Sequence, residues 1–140
     1  MPERPVVLDT HVWIWAVTGD SALKLPARQL ITDALKASTV LVPAICVWEV
    51  ALLCRKQQLQ LTQPVHEWIR TALEKPGFLL LKLDSDVAVE STQLPGTFHQ
   101  DPADCMIVAS ARIFNAILLT KDARILEYGK AGHVDAVSSG

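Results

Sequence analysis

The sequence predicts an α/β domain of three layers, with a central parallel sheet of four to five strands and helices on both of its faces. Short apolar runs alternate with longer helix-like stretches along the chain, which is the order of a βα fold. The strand-like runs are apolar at successive residues, as is typical of parallel strands covered on both faces. A length of 140 residues suits one core, so we expect residues 1–140 to form a single domain.

In the first half of the chain, strand-like and helix-like segments follow one another without a linker. Val6 to Leu8 and Val40 to Val42 are short and rich in valine, and both predict buried strands. Between and after them the apolar residues extend over longer stretches at helical spacing. These stretches predict helices at about residues 11–17, 27–37 and 44–57.

The second half of the chain continues this alternation. Strands are predicted at Phe78 to Leu83 and at Ala116 to Leu119, and helices at about residues 64–74, 85–92 and 102–114. The loop-like segment 94–100 leads directly into Asp101. A short helix from Asp122 toward Glu127 and a last strand around residues 133–137 complete the prediction.

The composition argues against a membrane protein and against a disulfide or zinc framework. Half of the residues are apolar, but no uninterrupted apolar stretch approaches the roughly 18 residues of a membrane helix. The first residues lack the apolar segment of a signal peptide, so we expect no membrane partner and a cytoplasmic location. The three cysteines, Cys46, Cys54 and Cys105, form no CxxC pair.

The net charge of -2 includes five acids of a candidate site, and the rest of the chain carries a net positive charge. Without the five acids discussed below, the chain has ten acidic and thirteen basic residues, which permits a surface that binds phosphate. Five basic residues lie near the ends of the elements that carry these acids and could face a polyanion there: Arg55, Lys56, Arg112, Lys121 and Arg124. Among them we predict that Arg112 and Lys121 contact a substrate.

Glu49 is the most unusual residue of the chain. It is the one polar residue in the run from Ala44 to Cys54, whose length and composition predict a buried helix. A carboxylate that is ionised and unpartnered in such a helix is costly. We therefore expect a cation to compensate Glu49, or Glu49 to act as a neutral acid.

Four further acids stand where predicted strands end or a helix begins. Asp9 and Asp122 follow strand-like runs, and the carboxyl ends of parallel strands form the binding crevice of an open α/β sheet. Asp101 and Asp104 are spaced i, i+3 on a first helical turn, so both can face one ion. Helix capping can explain Asp9, Asp101 and Asp122 individually, but it cannot explain Glu49 in the middle of a helix. A shared divalent ion explains the whole set.

A ligand set made of carboxylate oxygens favours Mg²⁺, with Mn²⁺ as a substitute, because zinc generally recruits His or Cys. Such an ion activates a water and stabilises the charge that develops on a phosphodiester during hydrolysis. The sequence therefore predicts metal-assisted hydrolysis without a nucleophilic side chain.

Several other residues near the acids are candidates for substrate contacts. Thr10 and Thr120 flank the acids, and His99 precedes Asp101 by two residues. A purely structural role is the competing interpretation for each of them. The tryptophans stand among apolar residues at helical spacing, which predicts core or interface positions for Trp13, Trp15, Trp48 and Trp68.

These motifs resemble those of PIN-domain ribonucleases, and in particular the VapC-type toxins of toxin-antitoxin systems. The resemblance spans nearly the whole chain, in the segments LDTHVWIWAV, VPAICVWEVALLCRKQQLQL, HQDPADCMIVASA and AILLTKD. It implies a parallel sheet with helices on both sides and an acidic Mg²⁺/Mn²⁺ pocket. It also implies endonucleolytic cleavage of RNA and a homodimer that a small antitoxin protein neutralises.

The same resemblance assigns roles to the acids, all five of which it implies are catalytic. Asp9, Glu49, Asp104 and Asp122 match the four acids of the family, and Asp101 matches an additional acid of the DPxD subgroup. Asp9 and Asp104 are the main expected metal ligands, with Glu49 bridging or supporting and Asp122 more peripheral.

Two features depart from the family pattern. Cys105 stands where relatives often carry Arg, and Ala44 and Cys46 stand where they often carry Ser or Thr. The missing Arg removes a fixed cation that could hold phosphate or brace an acid. The acids are complete, so we expect an active enzyme.

Two alternatives stay open on the sequence. A catalytically silent PIN-type binding or scaffold module would have the same fold, and it need not lose its function with its metal. A receiver-like signalling domain also binds Mg²⁺ with acids at strand ends and has a lysine after a late threonine, as in Thr120 and Lys121. It needs an acidic pair after its first strand, however, where this chain has only Asp9.

Overall fold

Five parallel strands form one sheet in the computed structural model of the protein, which describes residues 4–140. In order across the sheet the strands are β3, β2, β1, β4 and β5. Their bounds are β1 (Val6–Leu8), β2 (Val40–Pro43), β3 (Phe78–Leu81), β4 (Ile117–Thr120) and β5 (Asp135–Ser138). The predicted parallel sheet is confirmed with five strands, and the last predicted strand is one of them.

Helices cover the sheet on both sides, as the alternation of apolar runs predicts. They are α1 (Thr10–Thr18), α2 (Ala27–Lys36), α3 (Ala44–Arg55), α4 (Val65–Glu74), α5 (Ser85–Glu90), α6 (Pro102–Ile113) and α7 (Ala123–Lys130). Most bounds fall within two residues of the prediction, and α7 runs three residues beyond Glu127. Over residues 4–140, no helix is both long and apolar enough to cross a membrane.

The core lies around the three central strands. Every residue of β1 and β2 is buried, and α6 packs across β1, β2 and β4. Burial of valine, leucine and isoleucine side chains between sheet and helices is the main favourable term in the folding of such a domain. The prediction that all strands are covered on both faces is wrong for β3, which exposes Leu79 and Leu80. As an edge strand, β3 has a sheet neighbour on one side only.

The chain order reverses between β1 and β4. The strands β2 and β3 extend the sheet on one side of β1, and β4 and β5 extend it on the other. Ligands of open α/β sheets bind at such a switch point, beyond the carboxyl ends of the strands. A receiver-like domain has the order 2-1-3-4-5, with its second and third strands on opposite sides of the first. The observed order therefore excludes the receiver-like alternative.

The helix α3 is not buried on all sides. The prediction of a buried helix from its apolar composition is therefore wrong for one of its sides. Of its twelve residues only Cys46 and Val50 are fully buried, and Trp48 is 55% exposed. One side of α3 packs against β2 and α6. The other side, with Trp48 and Glu49, faces the open cleft described below.

Candidate active site

All five predicted acids line one cleft at the switch point of the sheet. The cleft has a volume of about 740 Å³ and lies beyond the carboxyl ends of β1 and β4. Four separate segments of the chain bring these acids together: the end of β1, the middle of α3, the start of α6 and the start of α7. The acids are Asp9, Glu49, Asp101, Asp104 and Asp122.

Asp9 is held in place through both of its carboxylate oxygens. It caps α1, where Oδ1 accepts a hydrogen bond of 2.7 Å from the backbone N–H of Thr10. The Thr120 hydroxyl donates to Oδ2 at 2.6 Å. Burial raises the pKa of Asp9, while the hydrogen bonds from Thr120 and Thr10 act in the opposite direction.

Glu49 is half-buried and is compensated by a hydroxyl. The Thr10 hydroxyl donates to Oε1 of Glu49 at 2.5 Å, which ties α1 to α3. Burial raises the pKa of Glu49, and the bond from Thr10 opposes this rise. Within residues 4–140, no cationic side chain lies within ion-pair distance of Glu49. The cation expected from the sequence is therefore not supplied by the described part of the chain.

Asp101 and Asp104 open α6, as their spacing predicts. Asp101 is the N-cap, its Oδ1 accepts a hydrogen bond from the backbone N–H of Asp104 at 3.1 Å, and Pro102 begins the helix. This cap points the side chain of Asp104 into the cleft, where only 9% of the residue is exposed. Burial and, after it, repulsion from the four other carboxylates of the cleft together raise the pKa of Asp104 to about 7.

His99 belongs to the acid cluster and is not an exposed loop histidine. Its Nδ1 accepts a hydrogen bond from the backbone N–H of Asp101 at 3.3 Å, and its Nε2 lies 3.2 Å from Oδ2 of Asp104. Nε2 is buried and has no well-directed hydrogen bond. The sequence predicts a set of oxygen ligands alone, whereas the structure places a ring nitrogen among the carboxylates. The signal in the sequence was the position of His99 just before a helix cap, where the loop turns back over the first helical turn.

Asp122 lies close to Asp104 and His99, whereas the family resemblance implies a more peripheral position for it. It caps α7, and Oδ1 accepts a hydrogen bond from the backbone N–H of Arg124 at 2.7 Å. Burial acts to raise the pKa of Asp122, but the hydrogen bonds and charge of Arg124 outweigh burial and lower it. Ligand atoms of His99, Asp104 and Asp122 lie within 4.8 Å of one another. In the described chain these three residues form the group tight enough to share one ion, and Asp9 and Glu49 lie outside it.

Thr120, which is predicted to contact substrate, has no exposed surface through which the structure would support such a contact. It is fully buried at the end of β4, where its hydroxyl donates to Asp9 and accepts a bond of 3.0 Å from the backbone N–H of Asp122. It therefore positions two acids from below the cleft. Thr10 lines the cleft, but its hydroxyl is engaged by Glu49.

Arg112 lies outside the cleft, so the structure does not support a substrate contact for it. Its Nε donates to Glu90 at 2.8 Å, and the guanidinium also donates to the carbonyl of His133. Arg112 follows Asp104 by eight residues on α6, and this separation amounts to about 12 Å of helical rise. That distance places it toward the opposite end of the sheet, in a pocket with Arg4 and Asp135.

The remaining walls of the cleft are apolar on one side and basic on the other. Ile45, Trp48, Leu52 and Leu53 of α3 form the apolar wall, and the cations are Lys56, Lys121 and Arg124. Lys121 is at the cleft as predicted, with Nζ 5.6 Å from the ring centroid of Trp15.

The tryptophans divide between core and cleft. Trp13 and Trp68 are buried and pack edge to face with ring centroids 5.4 Å apart, which confirms their predicted core positions. Trp15 is partly buried against the same core. Trp48 lies outside the core. It lines the cleft and is not covered by other residues of the described chain.

Cys105, which stands where relatives often carry Arg, adds no positive charge to the site. Its thiol lies 3.3 Å from the carbonyl oxygen of His99, to which it can donate, and burial raises the pKa of the thiol. The cation beside Asp104 is instead Arg124, whose Nη2 lies 3.4 Å from Oδ2 of Asp104.

The residues of the cleft fit a divalent metal ion. The pKa values of three carboxylates are raised by burial and by mutual repulsion, which shows that the described side chains do not fully compensate their charge. A buried ring nitrogen without a well-directed hydrogen bond points at the same group. Carboxylate oxygens with one imidazole nitrogen are an established ligand set for Mn²⁺ and related ions.

A three-layer fold with a carboxylate cluster at the switch point of a parallel sheet defines a class of metal-binding α/β domain. The chain belongs to the PIN domain family, which matches residues 6–131. Ribonuclease VapC22 of Mycobacterium tuberculosis is 33% identical to it over 120 residues, which cover 86% of this chain and 88% of that protein.

Solved structures with the same fold include complexes of toxins with antitoxins. The crystal structure of VapBC2 from Rickettsia felis, bound to a DNA fragment from their promoter, matches with a TM-score of 0.67 at 13% identity, over 96% of this chain and 98% of that one. DNA-bound VapBC from Salmonella typhimurium matches with a TM-score of 0.66 at 18% identity, over 99% and 100% of the two chains. A toxin-antitoxin complex from Klebsiella pneumoniae matches with a TM-score of 0.63 at 22% identity, over 96% and 98%. At these identities the likeness is one of fold.

Proposed function

We propose that the protein is an endoribonuclease that hydrolyses RNA phosphodiester bonds with Mg²⁺, for which Mn²⁺ can substitute, and that it is the toxin of a toxin-antitoxin pair. The observation that carries this proposal is the convergence of five carboxylates from four segments on one cleft. The identity of 33% with Ribonuclease VapC22 supports RNA as the substrate. The whole chain, residues 1–140, would act as one domain in the cytoplasm.

Each acid has a distinct role in this proposal. Asp104, Asp122 and His99 hold the metal ion, and Asp9 and Glu49 complete the negative site from the other side of the cleft. When bound, the ion activates a water and stabilises the charge on the phosphate. Thr120 and Thr10 keep Asp9 and Glu49 oriented through the hydrogen bonds described above. Asp101 holds the first turn of α6 and with it the direction of Asp104.

The cleft also offers contacts for the rest of an RNA strand. Lys56, Lys121 and Arg124 place positive charge beside the acids, where backbone phosphates would pass. The exposed ring of Trp48 offers a face on which a base can stack next to the scissile bond. An unpaired strand suits such a site better than a duplex, because stacking on a side chain requires a base that is free of its neighbours.

The test is cleavage of end-labelled RNAs, both structured and single-stranded, by the purified protein without a partner. We expect cleavage in Mn²⁺ and in Mg²⁺ that stops in EDTA and in a variant that lacks one of the metal-binding carboxylates. Metal binding without cleavage of any RNA would argue for the silent binding module instead. Failure to bind a metal would contradict both the proposed enzymatic activity and the proposal that the acid cluster is a metal site.

His99 predicts a preference between metals. Because Mn²⁺ accepts an imidazole nitrogen more readily than Mg²⁺ does, His99→Asn should weaken Mn²⁺ binding by about tenfold or more and change Mg²⁺ binding much less. Calorimetric titration of both ions into wild type and variant measures this difference. His66→Asn, an exposed histidine of α4, is the matched control. Equal losses for the two ions would show that His99 orients Asp104 without binding the metal.

We also propose that the protein forms a homodimer and binds a cognate antitoxin protein. Large apolar side chains are exposed along the edge strand and just beyond it, at Leu79, Leu80 and Leu83. An apolar edge of this kind is covered in most stable proteins. Light scattering coupled to gel filtration should give a dimer at micromolar concentration, and a small protein encoded nearby should co-purify. A strict monomer without a partner would contradict this proposal.

A further inference from the structure

Arg124 contacts two carboxylates of the cleft, and the role in phosphate binding proposed above does not explain these contacts. It stands in the first turn of α7, and its side chain is 61% exposed. Its Nη2 lies 3.2 Å from Oδ2 of Asp122 and 3.4 Å from Oδ2 of Asp104, and its Nε lies 3.4 Å from Oδ1 of Asp122. One guanidinium therefore connects two acids from different helices.

Arg124 is the one strong cation within ion-pair distance of these acids in the described chain. Lys56 and Lys121 line the same cleft but form no ion pair with any carboxylate of residues 4–140. The guanidinium therefore supplies the positive charge that Asp104 and Asp122 need while no metal is bound.

The guanidinium and a metal ion compete for the same carboxylates. Arg124 contacts Oδ2 of Asp104, the oxygen that also faces Nε2 of His99, and it contacts Asp122, the third member of the group. A divalent ion sits about 2 Å from its carboxylate ligands, so it would add a double positive charge next to the guanidinium. Both cations cannot keep these contacts without strong repulsion. The metal is the stronger partner, and the exposed arginine is the one that can move.

We infer that Arg124 exchanges carboxylates for phosphate: it neutralises Asp104 and Asp122 in the metal-free protein, and when a metal binds it turns to a backbone phosphate of the RNA beside the cut. This inference rests on the proposed nuclease function for its second half. Arginine suits both positions, because its planar fork binds carboxylate and phosphate in the same two-pronged way. The exposed side chain can reach a strand that lies in the cleft, since Arg124 lines that cleft.

Two effects of opposite direction distinguish this role from a structural one. Arg124→Gln removes the competitor of the metal, so Mn²⁺ should bind about threefold to tenfold more tightly in the absence of RNA. The same variant loses a charged contact to phosphate, so the KM for RNA should rise about tenfold. Arg124→Lys keeps the charge without the fork and should fall between wild type and Arg124→Gln in both measurements. A residue that only stabilises the start of α7 would not tighten metal binding.

The experiment combines calorimetry with Mn²⁺ alone, cleavage kinetics, and binding of an RNA made non-cleavable by 2′-O-methyl groups. Arg70→Gln is the control, because it makes the same change of net charge at an exposed position on α4, outside the cleft. Unchanged or weaker Mn²⁺ binding by Arg124→Gln overturns the exchange. Tighter Mn²⁺ binding with wild-type affinity for RNA overturns the phosphate half. A wild-type protein that neither cleaves nor binds RNA refutes the nuclease proposal and the phosphate half with it, while the Mn²⁺ titrations still decide the competition.

Discussion

Asp104→Asn is expected to lower metal-dependent RNA cleavage about a thousandfold, the effect of losing several kcal/mol of charge stabilisation in the transition state. Asp104 is the acid that touches both His99 and Arg124, and it is buried among the other four carboxylates. An amide keeps the shape of the side chain and one of its oxygens but removes the charge that holds a divalent ion. The measurement is kcat/KM on one end-labelled RNA at saturating Mn²⁺, together with Mn²⁺ affinity from calorimetry.

The matched control for this variant is Asp86→Asn. Asp86 is also an acid in the first turn of a helix, α5, but it is exposed and lies outside the cleft. Any loss of favourable interaction with the helix dipole is therefore common to both variants. Wild-type cleavage by Asp104→Asn, with the fold intact by circular dichroism, would remove Asp104 from the metal site.

The second large effect is a dependence of metal binding on pH. Asp104 has its pKa raised from 3.8 to about 7, so below pH 7 a metal ion must displace a proton from it. We expect the affinity for Mn²⁺ to rise about tenfold per pH unit up to about pH 7 and to level off above it. Asp122, whose pKa is lowered, stays ionised across this range and adds no such dependence. Titrations at pH 5.5, 6.5, 7.5 and 8.5 measure the slope.

The same shift predicts how the stability of the metal-free protein depends on pH. The folded state holds the proton of Asp104 more tightly than the unfolded state does. Its contribution to stability is therefore fully present below about pH 4 and is lost as the pH rises toward 7. The melting temperature without metal should fall between pH 5.5 and 8, and Mn²⁺ should restore it at pH 8.

Asp104→Asn provides the check on both pH effects. Because the amide does not ionise, the variant should lose most of the fall in melting temperature and should be more stable than metal-free wild type at pH 8, on the order of 1–3 kcal/mol. A variant that keeps the full pH dependence would assign the titration to Asp9 or Glu49, whose pKa values are also raised.

The order of elements, the parallel sheet and the acids of the cleft can all be predicted from the sequence. These features are local or follow from simple geometry. Apolar runs mark strands, the pattern Asp-Pro-Ala-Asp marks the start of α6, and strand ends of a parallel sheet must share one edge. The sequence also suffices to predict that Arg112 lies outside the cleft, because eight residues of helix separate it from Asp104.

The grouping of the acids and the identity of the side chains that face them become visible in the three-dimensional structure alone. A loop that turns back over α6 brings His99 to Asp104, and the start of α7 brings Arg124 to the same oxygen, across 20 residues of sequence. The apolar composition of α3 predicted burial, yet Trp48 and Glu49 face an open cleft. The composition of a segment indicates whether its side chains favour burial. Which residues a side chain contacts, and whether it faces a cleft, depends on the packing of segments that are distant along the chain.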